Sequence, residues 1–225
     1  MRKSLVIRTS SCGIIVFILL ASLGQPVRPQ STVQFSPQSA AQLLKEGTYY
    51  HGIDDTTDRA ADRYRQLLSK FPKSSQAEQA QFYLGTYYQK KFFILESRNK
   101  VQDWTSFNQA EEALNGYIKK YRSGKGFRTY LADAYYNLAI ISLRRGYIEK
   151  AKQLLLQMKT DAAKDRTVYI FKIVWSPRTD DVIKANCDTS QLATAAIDSI
   201  GNDNNFGRML GRMRDWCWKN CKAGA

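Results

Sequence analysis

The chain has 225 residues, with 34 Lys and Arg against 20 Asp and Glu, a formal net charge of +14, and one histidine. Its length suits one domain, or one with a small appendage, which excludes a series of full-sized domains. Its apolar share of 44% is ordinary for a globular protein.

Residues 1–24 read as an export signal. Arg2, Lys3 and Arg8 form a basic start, Gly13 to Leu20 an apolar core, and Ser22-Leu23-Gly24 a stretch of small residues for cleavage. The alternative is an uncleaved anchor over residues 5–27, just long enough to span a bilayer. Cys12 precedes the apolar core, a poor position for lipid attachment. Without Arg2, Lys3 and Arg8 the charge is +11, still strongly basic, and export argues against nucleic acid as the partner. Residues 25–36, with Pro26 and Pro29, read as an extended linker.

Ser36-Pro37 predicts a helix start, with Ala40, Leu43, Leu44, Gly47 and Tyr50 on its apolar face. A polar turn at His51 to Thr57 leads to a second stripe, Ala60, Tyr64, Leu67, Leu68 and Phe71, stopped by Pro72. Ser75-Gln76-Ala77-Glu78 has the pattern of a capping box. The third helix then carries Ala77, Ala80, Leu84, Tyr87 and Tyr88, and its partner Ala110, Ala113, Leu114, Tyr117 and Tyr121. A third hairpin spans Leu131 to Met158. Its first helix shows Leu131, Ala134, Tyr135, Leu138, Ile141 and Ser142 at helical spacing, ends in Arg144-Arg145-Gly146, and resumes with Ile148, Ala151, Leu155 and Met158. The 13 residues from Leu138 to Ala151 become 26 from Leu84 to Ala110, so the middle unit carries an insertion around Lys90 to Thr105. It is expected to lengthen the helix and end in a loop near Trp104.

These positions resemble the tetratricopeptide repeat. Leu138-Ala139, Gly146, Ala151 and Leu155 fall at its first helix, turn and second helix. Leu84-Gly85 and Ala110, and Ala60 with Tyr64, repeat part of the pattern. Within that family Phe71-Pro72-Lys73-Ser74, followed by Ala80, Leu84, Gly85 and Tyr88, resembles repeat proteins of the bacterial cell envelope. Those are the outer-membrane assembly lipoproteins of BamD type and the Tol–Pal coordinator proteins. The resemblance implies an all-α solenoid of about three hairpins over residues 37–162. Residues 163–225 would then be a capping extension.

In that extension, Thr167 to Trp175 reads as a strand, with Val182-Ile183 as its return; a buried helix is the alternative. Asp188 or Thr189 starts a helix that Gly201 ends. A last helix from about Asn205 presents Phe206, Met209, Leu210, Met213 and Trp216-Cys217. Cys187, Cys217 and Cys221 are disulfide candidates, with Cys187 pairing to Cys217 or Cys221. Their spacing fits neither a redox Cys-x-x-Cys nor a zinc site, and no cofactor or metal is expected.

No catalytic constellation stands out, and His51 reads as a surface loop residue. The densest basic run, Lys119 to Arg128, lacks the glycine pattern of a phosphate-binding loop. It reads first as a helix end with charges that complement the dipole, and otherwise as a contact for an acidic surface or envelope polyanion. The expected function is therefore not enzymatic. It is an exported interaction scaffold of the periplasm or cell envelope, possessing a groove lined by Tyr50, Tyr83, Tyr87, Lys90, Lys91, Lys119, Lys120, Arg128 and Tyr136. The competing reading is an enzyme or redox protein with its site in the cysteine-bearing extension.

Overall fold

The computed structural model describes residues 38–53, 56–123, 128–163, 165–167, 170–171, 182–183, 185–201 and 205–223. At 166–167, 170–171, 182–183, 185–186, 214, 217–218 and 222–223 it describes the backbone alone. The chain divides into two units, Met1–Ser36 and Pro37–Ala225, and every described residue belongs to the second. The expected signal, anchor and linker therefore lie outside the described residues.

The second unit is mostly helical. Its helices are α1 (Ala40–Gly52), α2 (Arg59–Lys70), α3 (Gln76–Asn99), α4 (Trp104–Tyr121), α5 (Leu131–Arg144), α6 (Ile148–Asp161), α7 (Thr189–Ile200) and α8 (Phe206–Asn220). Each packs on the next in chain order, and α3 also touches α1 and α5. The lengthened α3 and the short loop before Trp104 account for the extra residues of the middle pair.

Two glycines set the helix spacing. A Cβ on Gly47 would stand 2.5 Å from Cε1 of Tyr64, and one on Gly85 would stand 2.6 Å from Cγ of Leu114. No side chain fits at those distances, so α1 lies close on α2 and α3 close on α4. Gly146, at φ +79°, supplies the left-handed residue between α5 and α6.

Helix starts differ from the sequence reading in two places. The cap of α1 is Ser39, whose Oγ accepts from the Gln42 amide at 3.2 Å; Ser36 and Pro37 lie outside the described residues. Ser75 already has helical dihedrals (φ −61°, ψ −25°), which aim its side chain away from the free amides, so no capping box forms. Glu78, the expected second half of that box, is buried and accepts a hydrogen bond from Tyr117 instead. Asp103, Asp188 and Asn205 cap α4, α7 and α8 through their side-chain oxygens.

The third hairpin's first helix, α5, is not amphipathic: every residue from Leu131 to Leu143 is buried. It is enclosed by α4, α6, α3 and two short strands, β1 (Arg166–Thr167) and β2 (Ile170–Phe171). Its polar residues are therefore interior. Asn137 Nδ2 donates to the Asp133 carbonyl at 2.7 Å, and Gln89 Nε2 of α3 reaches the Asn137 carbonyl at 3.4 Å.

The extension carries short antiparallel strands. β2 pairs with β3 (Val182–Ile183) in the register Ile170↔Ile183, the return predicted from sequence; residues 172–181 between them lie outside the described set. β1 pairs with β4 (Ala185–Asp188), and β4 with β5 (Lys222–Ala223). The disulfide joins Cys187 to Cys221 across this sheet, with Cα atoms 4.7 Å apart. Cys217 lies on α8, and its side chain is outside the described ones. α7 packs on α6, and Met209 and Met213 of α8 are buried in the same core.

Candidate partner-binding surface

The predicted groove residues separate into three groups. Tyr83, Tyr87 and Tyr136 are buried, so this conformation offers them to no partner. Tyr83 and Tyr87 instead enclose His51, with ring centroids 5.9 and 5.7 Å from its own in edge-on geometry. His51 Nδ1 lies 3.2 Å from the Tyr64 hydroxyl. Burial, reinforced by the nearby charge of Lys90, pushes the His51 pKa down to about 3. The ring is neutral at physiological pH and acts as a core element, contrary to its reading as a loop residue.

The second group is engaged within the chain. Lys90 Nζ donates to the His51 carbonyl at 2.7 Å, at the end of α1. Lys91 Nζ pairs with Asp58 at 2.8 Å, and the Asp58 amide donates to the Tyr87 hydroxyl at 3.0 Å. Together these tie the α1–α2 connection onto α3. Arg65 donates to the Tyr88 hydroxyl, whose pKa is pushed up to about 12, chiefly by burial. Arg128 pairs with Asp165 at 2.9 Å and donates to the Asp161 carbonyl at 2.6 Å. Arg122 pairs with Asp161 at 2.8 Å. Arg122 and Arg128 of the basic run thus tie the end of α4 and the start of the next segment to the end of α6.

The third group faces solvent. Tyr50 is half-buried beneath the Arg59 guanidinium, 4.6 Å from its ring centroid. Lys119 and Lys120 are exposed on the last turn of α4. Lys120 Nζ lies 3.5 Å from the Pro72 carbonyl, which places it beside the turn from α2 to α3. Exposed Lys70, the last residue of α2, and exposed Lys73 in that turn stand there, and the sequence reading did not single them out. The available signal was the pair of lysines bracketing the helix-stopping Pro72. None of the four lysines has an ion-pair partner among the described residues.

Two helix C-termini meet at this corner, so the lysines complement the partial negative charge of α2 and α4. That arrangement holds four ammonium groups at the surface with few internal claims on them. It can attract carboxylate or phosphate groups.

The described residues contain no group of three or more His, Cys, Asp or Glu placed to hold a metal ion. Among them no helix is long and apolar enough to cross a membrane. No family model, curated protein or solved structure matches the chain.

Proposed function

We propose that the chain is a tetratricopeptide-like helical-hairpin array, exported to the cell envelope, that binds an acidic segment of a protein partner at the Lys70, Lys73, Lys119 and Lys120 corner. The observation that carries this reading is the contact of Lys120 Nζ with the Pro72 carbonyl at 3.5 Å, which brings the exposed Lys119–Lys120 end of α4 beside the α2–α3 connection with its exposed Lys70 and Lys73. The close helix pairs at Gly47–Tyr64 and Gly85–Leu114 support the repeat assignment, because repeat units pack through such small-residue contacts. The Cys187–Cys221 disulfide supports export, since such bonds persist in oxidising compartments. It also supports a stapling role for these two cysteines over a reactive one, because Cys187 is buried.

The test is capture of partners from envelope extract by the mature chain and by a Lys70→Glu, Lys73→Glu, Lys119→Glu, Lys120→Glu variant. The expected result is loss of the captured proteins by the variant, and their release from the unaltered chain by salt. Equal capture by both chains would refute the reading.

A further inference from the structure

An open cleft of about 380 Å³ lies between α7 and α8, away from the basic corner, and its lining includes Ser190, Gln191, Thr194, Asp198, Trp216 and Asn220. The four α7 residues share the face opposite Leu192, Ala193, Ala196 and Ile200, which are buried in the core. Trp216 and Asn220 are one helical turn apart on α8, and Asn220 Nδ2 donates to the Trp216 carbonyl at 2.8 Å. Trp216 is half-buried and packs against the core, so its indole is held in place while part of it borders the cleft.

The lining is chemically selective. In a chain of net charge +14, the described residues that line the cleft include no Lys or Arg and one carboxylate. Lys159 reaches the lining from α6, where its Nζ donates to Thr194 Oγ1 at 3.1 Å. Thr194 in turn donates to the Ser190 carbonyl at 2.9 Å. Asp198 has no ion pair among the described residues, and the Gln191 amide group has no internal hydrogen bond among them. Among the described lining residues an anion would meet the Asp198 carboxylate with no cation to oppose it. A purely apolar ligand would leave Asp198, Gln191 and Ser190 without partners, at a cost. An extended peptide calls for a sheet edge or deep side-chain pockets, and this cleft has neither.

What remains complementary is a ligand with many hydroxyls and an apolar C–H face. Hydroxyls both donate and accept, so they match an amide, a carboxylate and a serine hydroxyl at once. A C–H face packs on the electron-rich face of an indole. The cleft volume lies at the low end for ligand sites, about 300–1,000 Å³, and has room for a short saccharide.

We infer that the α7–α8 cleft is a binding site for a neutral oligosaccharide, with Trp216 as the apolar platform and Asp198, Gln191 and Asn220 bonding to its hydroxyls. The inference is independent of the basic corner.

The full chain is titrated calorimetrically with maltotriose, cellotriose and N,N′,N″-triacetylchitotriose. Saturable binding of at least one is expected, with an affinity that barely changes when NaCl is raised from about 50 to about 500 mM, because no ion pair forms. Trp216→Phe tests the platform, but Trp216 packs on the core. The decisive variant is therefore Asp198→Ala with Gln191→Ala, on the exposed face of α7, with an unchanged melting temperature. It is expected to weaken binding by about tenfold or more, the loss of one or two hydrogen bonds. Absence of saturable binding to all three sugars would overturn the inference, as would binding that the double variant leaves intact.

Discussion

The hydroxyl of Tyr117 donates to Oε1 of buried Glu78 at 2.6 Å and accepts from the amide of Tyr130 at 3.0 Å. One phenol on α4 thereby satisfies a carboxylate on α3 and a backbone group just before α5. Burial first, and then the hydrogen bond to Glu78, hold the Tyr117 pKa well above the usual phenol range, so it keeps its proton and serves as a donor. Tyr117→Phe keeps the ring in the core and removes both bonds, leaving a buried carboxylate and a buried amide short of a partner. The expected cost is about 2–4 kcal/mol. The comparison is Tyr135→Phe, which removes a 2.6 Å bond to Asp161. Asp161 retains Arg122, so about 1 kcal/mol is expected there. Urea denaturation of the two variants measures the difference, and equal losses would contradict the paired role of Tyr117.

His51 gives a pH dependence with a definite sign. Its pKa is about 3 in the fold against 6.5 for the ordinary ring. Between those values the unfolded chain binds the proton and the folded chain does not, so stability rises with pH. The contribution is complete above about 6.5 and is lost as pH falls toward 3. The slope cannot exceed about 1.4 kcal/mol per pH unit for one group. Because the residue retains some solvent exposure, a fall of about 1–2 kcal/mol from pH 6.5 to pH 5 is expected. The chain has a single histidine, and carboxylates titrate mostly below pH 5, so this window isolates it. Urea midpoints at four pH values, for the unaltered chain and His51→Gln, should show the slope in the first and a flat line in the second.

These two sites mark where local sequence reasoning stops. Asp188 and Gly201 bracket α7 because a cap and a left-handed stop act on residues within one turn of themselves. Leu43, Tyr64 and Leu114 fall on their stripes for the same local reason. Glu78 was assigned to a capping box because its true partner lies 39 residues away, on another helix. His51 follows a helical stripe and opens a polar stretch, which reads as a turn, and only the folding of α3 across it supplies Tyr83 and Tyr87. α5 reads as amphipathic because Leu131, Ala134, Tyr135, Leu138, Ile141 and Ser142 share one face; Asp133 and Asn137, off that face, are buried too, covered by elements that a period of 3.6 residues cannot locate. The basic corner was half legible. Lys119 and Lys120 stand in a visible run, whereas Lys70 and Lys73 join them only through the contact at Pro72.

Glycine spacing gives a test of the helix pairs. Gly85→Ala forces a methyl to within 2.6 Å of Leu114, and Gly47→Ala to within 2.5 Å of Tyr64. Both should destabilise by about 1–3 kcal/mol, the cost of overpacking, even though alanine is the better helix former. Gly116→Ala on α4 is the control. Its Cβ would meet only Gln81 Nε2, at 3.4 Å, so the helix preference should dominate and stability should rise by about 0.5–1 kcal/mol. Thermal melts of the three variants decide it, and a uniform gain would mean that the close approaches are not held in solution.

The disulfide should act on the tail more than on the helix pairs. Cys187 and Cys221 close a loop of 34 residues that contains α7 and α8, so the bond restrains the unfolded tail and should contribute about 2–4 kcal/mol to its stability. Cys187 is buried on β4, which pairs with β1, and β1 touches α5. Loosening the tail would therefore free first the sheet and then the cover over α5. Hydrogen exchange on the oxidised chain and on a Cys187→Ala, Cys221→Ala variant reads this directly. Amides of α7, α8 and β4 should exchange faster in the variant. The α1–α2 and α3–α4 pairs, held by Tyr64, Leu114 and Tyr117, should change little. Equal acceleration everywhere would mean that the unit unfolds in one step and that the bond staples the whole of it.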